Sequence, residues 1–130
     1  MSVNEWSDAT AMAEAVRNKT VSPPELVKDT ISEAERTNPK INAIVSQRYE
    51  KALEEAETRD FSDKPFAGVP IFLKDLGQEQ AGEPSTAGSR LFTSYHAKET
   101  DNYVKKLEEL GFLILGRSST PEFGFKNISD

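Results

Sequence analysis

The run Phe112-Leu113-Ile114-Leu115-Gly116 offers water no polar face. A strand of this kind is buried on both sides, which requires neighbouring strands and helical cover above and below. A second apolar run, Val69-Pro70-Ile71-Phe72-Leu73-Lys74-Asp75-Leu76, lies upstream. Pro70 cannot donate to a ladder, so the regular strand is expected to begin near Ile71. Between the two runs, the spacing predicts a helix over 101–110, with Tyr103, Leu107 and Leu110 on one face and Gly111 as its left-handed C-cap. Residues 77–94, rich in Gly, Ser, Thr and Pro, form a long loop, and a loop of that length in a compact domain is functional or disordered.

Helices precede this unit. Ala9, Met12, Ala13 and Val16 recur at helical spacing behind Ser7 or Asp8 as N-cap. Ser22-Pro23-Pro24-Glu25 has the pattern of a capping box, followed by an apolar stripe of Val27, Ile31 and Ala34. Asn38-Pro39 is expected to stop that helix. The alternation of Ile41, Ala43 and Val45 suggests a short strand, and residues 49–60 a charged helix with Ala52, Leu53 and Ala56 inward. The strand–helix–strand–helix–strand order predicts an α/β sheet with parallel crossovers.

Composition limits the function classes. The chain of 130 residues carries 16 basic and 22 acidic side chains, a net charge of −6, which argues against a nucleic-acid binder. There is no cysteine and one histidine, His96, so a thiolate metal site, a disulfide framework and a multi-histidine site are excluded. Met1-Ser2-Val3-Asn4-Glu5-Trp6 has no leader pattern, and no apolar stretch approaches membrane-spanning length, so a cytoplasmic protein with no membrane partner is expected. Hydrophobic residues are 36% of the chain, and three short strands are few for so many covering helices. The chain is therefore expected to be the first part of a larger domain.

Lys74 is the most informative polar residue. Alternation places it with Phe72 and Leu76, facing away from Ile71, Leu73 and Asp75. Apolar flanks would favour the neutral amine, the form that acts as a general base. Lys74 also lies at the carboxyl end of a strand, where open α/β sheets bind ligands. The plainer reading is a strand end that surfaces into water. Asp75, facing the other way, is expected to brace the following loop. Ser85, Ser89, Ser118 and Ser119 are explained as turn formers. His96 is read as a loop residue, Trp6 as an anchor packed beside the first helix, and Lys105-Lys106 with Glu108-Glu109 as a solvated face. Asn18-Lys19-Thr20 and Asn127-Ile128-Ser129 are chance matches to a glycosylation sequon.

Gly68-Val69-Pro70-Ile71-Phe72-Leu73-Lys74-Asp75 resembles the Gly-x-Pro-x-x-x-Lys-Asp segment of the amidase signature family. Ser85-Thr86-Ala87-Gly88-Ser89 is similar to that family's Thr-x-Gly-Ser stretch, and the likeness continues through residues 101–111 and 116–124. Glu109-Leu110-Gly111-Phe112 and Arg117-Ser118-Ser119 depart from the family's usual Ala-Gly-Ala and Gly-Lys-Thr-Asn, while Gly111, Gly116 and Pro121-Glu122-Phe123 are kept.

The resemblance implies the N-terminal part of a mixed-sheet α/β amidase core, one domain segment over residues 1–130 that ends before a Gly/Ser-rich nucleophile loop. It implies hydrolysis of carboxamide C–N bonds by a Ser–Ser–Lys triad, with Lys74 as terminal base and no metal or organic cofactor. Only the lysine is then present, so these residues alone are expected to be inactive. Leu76 after Lys-Asp looks more like general or oligomeric-amide hydrolases than the glutamyl-tRNA amidotransferase subunit, one alternative; a non-catalytic α/β interaction module is another. The expected substrate is a small-molecule amide. Left alone, the two apolar strands are expected to pair with a second copy, giving a homodimer.

Overall fold

A computed structural model describes residues 3, 4 and 6–129. Met1, Ser2 and Glu5, part of the stretch read as lacking a leader, lie outside the described residues, as does Asp130. In chain order the elements are α1 (Ala9–Arg17), α2 (Pro23–Ile41), β1 (Ile44–Gln47), α3 (Tyr49–Thr58), β2 (Pro70–Lys74), α4 (Asn102–Glu109) and β3 (Leu113–Ser118). Two 3-10 turns, Arg90–Phe92 and Glu122–Gly124, punctuate the loops. No described helix is long and apolar enough to cross a membrane.

The caps form as their chemistry dictates. The Asp8 carboxylate accepts from the Ala11 amide at 2.8 Å. At α2 the box closes in both directions: Glu25 N–H donates to Ser22 Oγ at 3.4 Å, and Ser22 N–H donates to Glu25 Oε2 at 2.7 Å. That backbone hydrogen bond, with the Ser22 hydroxyl, holds the Glu25 carboxyl below its ordinary range.

Asn38-Pro39 does not stop α2. Pro39 sits in the last turn, where only its own missing N–H is forfeited, and the helix continues to Ile41. Termination falls to Asn42, which adopts a left-handed conformation (φ 49°) and donates its N–H to Asn38. The Asn38 side chain then accepts from Ile44 N–H at 2.8 Å and so starts β1. As a consequence the strand is out of phase with the expected Ile41, Ala43, Val45 set: Ile41 is on the helix, Val45 is exposed, and Ile44 and Ser46 turn inward.

The sheet order is β1-β3-β2, with β2 parallel and β1 antiparallel to β3. The element order alone predicts parallel crossovers, and only β2–α4–β3 is one; the sheet is mixed, as the family resemblance implies. The first connection fails because α3 does not double back. It continues in the direction of β1, so that Arg59, just past its end, reaches the Glu108 and Phe112 carbonyls near the start of β3 at 2.7 and 3.0 Å. The chain reverses only afterwards, in the connector beside Leu110 and Gly111.

β3 is the centre of the molecule. Leu113, Ile114 and Leu115 are essentially inaccessible, burial that contributes about 1.5–3 kcal/mol per side chain. Leu113 and Leu115 pack against Val27, Ala52 and Ala56 of α2 and α3. Ile114 packs with Leu73 against Val104 of α4. A third cluster, Ala13, Val69 and Phe112, attaches α1. On α4, Leu107 and Leu110 pack against the core as expected, but Val104 is fully buried beside them, whereas Tyr103 is 57% exposed. Trp6 is 86% exposed, so it is not the packed anchor expected beside α1.

Both ladders carry an irregularity, the β1 pairing at Val45 opposite Arg117 and Ser118, the β2 pairing next to Gly116. Ile71 pairs with Ile114 and Phe72 with Gly116, so β3 carries one extra residue, Leu115, in a bulge. Gly116 has φ +153°, and a Cβ there would lie 2.1 Å from the Ser46 carbonyl oxygen. Gly116→Ala should therefore destabilise the fold by about 3 kcal/mol, the upper range for overpacking, as read by thermal or denaturant unfolding. On α4, Val104→Ala should cost about 2 kcal/mol while Tyr103→Ser changes stability by about 0.5 kcal/mol or less, measured the same way.

Candidate active site

Three segments distant in sequence converge at the carboxyl end of β2. Lys74 ends the strand and Asp75 follows it; residues 86–89 come from the long loop; Arg117 and residues 118–122 leave β3. The long loop is ordered by its anchors. Ala81 N–H donates to Thr100, Glu79 N–H to Asp101, and Gln80 to Glu108. Glu83 accepts from Lys51 at 2.5 Å and faces Arg48 at 3.5 Å. Burial disfavours the Arg48 charge, but Glu55 and Glu83 more than compensate, and its pKa lies above the ordinary value.

Asp75 braces the loop, as expected. Its carboxylate, in a residue only 3% exposed, accepts from the Thr86 amide at 2.9 Å and from the Thr86 hydroxyl. The same carboxylate accepts from Arg117 Nε at 3.0 Å in a buried ion pair. Gly88, at φ +67°, lies so close to the Thr120 and Pro121 carbonyls that a Cβ would meet the former at 2.5 Å. Phe123 N–H donates to the Ala87 carbonyl at 2.8 Å, and Ser89 Oγ donates to Glu122 at 2.8 Å. The Lys-Asp, Thr-x-Gly-Ser and Pro-Glu-Phe segments are thus one hydrogen-bonded body.

Lys74 is exposed, not covered by its apolar neighbours. Phe72 turns to Tyr49, with ring centroids 6.4 Å apart edge to face, and Leu76 lies under Gly124. The serines divide. Ser85 and Ser89 are buried, with Ser89 tied to Glu122, and Ser118 donates to the Leu73 carbonyl at 3.3 Å. These are structural engagements: Ser85 and Ser89 lie in the loop as expected, whereas Ser118 ends β3 in the sheet and is not a turn former. His96 is an exposed loop residue whose Nδ1 lies 3.2 Å from the Ser94 carbonyl. Among the described residues no cluster of three acidic or histidine side chains could hold a metal.

Arg117 is the residue that the sequence left unassigned. It is 2% exposed and donates to the Lys74, Gly77 and Gln78 carbonyls at 2.8, 2.6 and 2.8 Å, besides Asp75. The available signal was a charged residue placed directly after an apolar run buried on both faces, where it has to find partners or not fold.

Comparison with known proteins agrees with this arrangement. A family model described as Amidase matches residues 25–127. The lipoamidase of Enterococcus faecalis is 42% identical over 128 residues, covering 97% of this chain and 18% of that protein. The 6-aminohexanoate-cyclic-dimer hydrolase of Paenarthrobacter ureafaciens is 39% identical over 124 residues, 94% of this chain and 24% of that one. Among solved structures, a 6-aminohexanoate cyclic dimer hydrolase superposes with a TM-score of 0.86 at 38% identity, covering 94% of this chain and 25% of that chain. A bacterial aryl acylamidase of the amidase signature family gives 0.85 at 32% identity, covering 96% and 27%. The chain therefore spans between 18% and 27% of the length of these relatives. With the matched region covering most of its residues and the motif segments meeting at one strand end, this chain belongs to the amidase signature family of hydrolases.

Proposed function

We propose that this chain supplies the lysine-bearing part of an amide hydrolase, with Lys74 as the terminal base of a Ser–Ser–Lys relay. The observation that carries the reading is the convergence of the Lys74-Asp75, Thr86–Ser89 and Pro121–Phe123 segments through direct hydrogen bonds and close contact. Evolution of a mere surface strand end would not need three loops locked around it, whereas a reacting group needs fixed surroundings.

In this reading Lys74 takes a proton through a bridging serine from a nucleophilic serine. The nucleophile attacks the amide carbonyl, and backbone N–H groups of a Gly/Ser-rich loop hold the oxyanion. In this reading both serines and that loop are supplied from outside these residues. The exposure of Lys74 suits this: its side-chain nitrogen is open to an incoming serine rather than buried under Phe72 or Leu76. The substrate is a small or linear amide, in line with relatives named as a lipoamidase and as cyclic-dimer hydrolases. The negative net charge favours that substrate over tRNA, since tRNA contact calls for positive surface. A cytoplasmic setting accompanies this reading.

In the full-length enzyme, Lys74→Ala should lower kcat/KM on a small carboxamide by about 10²–10⁴-fold, the span for loss of a general base. Steady-state hydrolysis assays with a folding control by circular dichroism provide the check. Activity within threefold of wild type would reject the base assignment and favour a non-catalytic role for the segment.

A further inference from the structure

Lys74 ends a strand whose other edge has no partner strand among the described residues. Asp75 N–H donates to the Ser118 carbonyl at 2.9 Å, so Asp75 points its backbone groups at β3. Backbone groups alternate sides along a strand, which directs the N–H and C=O of Lys74 to the open edge. At an ordinary exposed edge, water would take both.

Here two side chains take them. Gln78 Oε1 accepts from the Lys74 N–H at 2.9 Å, and Arg117 Nη2 donates to the Lys74 carbonyl at 2.8 Å. Gly77 and Gln78 both have positive φ (61° and 54°), which folds the chain back so that the Gln78 side chain can reach. Arg117 then holds that turn through the Gly77 and Gln78 carbonyls and is itself fixed by Asp75. Every polar group of the Lys74 backbone is thereby tied to one buried guanidinium and one amide.

We propose that Arg117 and Gln78 form a clamp on the Lys74 backbone and are positioning residues for the proton relay. The clamp sets where the lysine side chain leaves the sheet, which a long flexible side chain cannot set for itself. Misplacing a reacting group by about 1 Å can cost on the order of 10²-fold in rate. This inference rests on the reading of Lys74 as the base.

The test compares Lys74→Ala, Gln78→Ala, Arg117→Met and Arg117→Lys in the full-length enzyme, reading kcat, KM and thermal midpoint with one small carboxamide. Gln78→Ala should lower kcat about 10-fold and Arg117→Met about 10²-fold, each with KM within about twofold. Arg117→Lys should recover at least tenfold of the Arg117→Met loss, because an ammonium there still pairs with Asp75. A Lys74→Ala enzyme that is dead, alongside Gln78→Ala and folded Arg117→Met enzymes with wild-type kcat or a loss confined to KM, overturns the clamp and leaves the base assignment standing. A fully active Lys74→Ala enzyme overturns both. Should Arg117→Met fail to fold, Gln78→Ala decides alone, since it removes only a half-buried side chain beside a turn.

Discussion

The buried ion pair between Arg117 and Asp75 organises the end of the sheet. Neither residue is more than 3% exposed, so each charge is without water and needs the other. Removing one partner of such a pair typically costs about 3–5 kcal/mol, because the remaining charge is stranded. What repays the desolvation is the completeness of the hydrogen bonding. The guanidinium serves three backbone carbonyls as well as the carboxylate, and the carboxylate also serves both Thr86 donors. A turn, a strand end and a distant loop are thereby fixed by a single charge pair.

That pair exists because β3 is irregular. Strict alternation would place Arg117 on the side of Leu113 and Leu115, among the apolar residues of α2 and α3. The extra residue at Leu115–Gly116 shifts the phase, and Arg117 comes out beside Leu73, on the side of Asp75. Only glycine tolerates the conformation and the approach of the Ser46 carbonyl that this bulge requires. Gly116 and Arg117, adjacent in sequence, are thus two parts of one device. Glycine turns the strand and arginine uses the turn.

The loop of residues 77–94 illustrates how a polar, glycine-rich segment can be both irregular and fixed. It has little regular structure, yet its acidic and hydroxyl side chains are engaged by α3, α4 and the ends of β2 and β3. The acidic composition has a structural use here, since Glu83 and Asp75 meet Arg48, Lys51 and Arg117.

Much of this protein was legible in the residues alone. The unbroken apolarity of Phe112–Leu115 dictated a central strand with cover on both faces, because no other placement satisfies it. Ser22 and Glu25 determined the start of α2 through local hydrogen bonds, and the order and spacing of three short motifs carried the family and singled out Lys74. Those features depend on neighbours in sequence or on a family pattern of spacing. The tertiary structure decided the rest: the antiparallel placement of β1, the end of α2 at Asn42 instead of Pro39, the exposure of Tyr103 and Trp6, and the opening of Lys74 to solvent. The end of α2 follows from the hydrogen bonds of Asn38 and Asn42, and the others from which surfaces meet in the folded chain, neither of which periodicity encodes. The role of Arg117 belongs there too, since one bulged residue inverted the face on which its charge emerges.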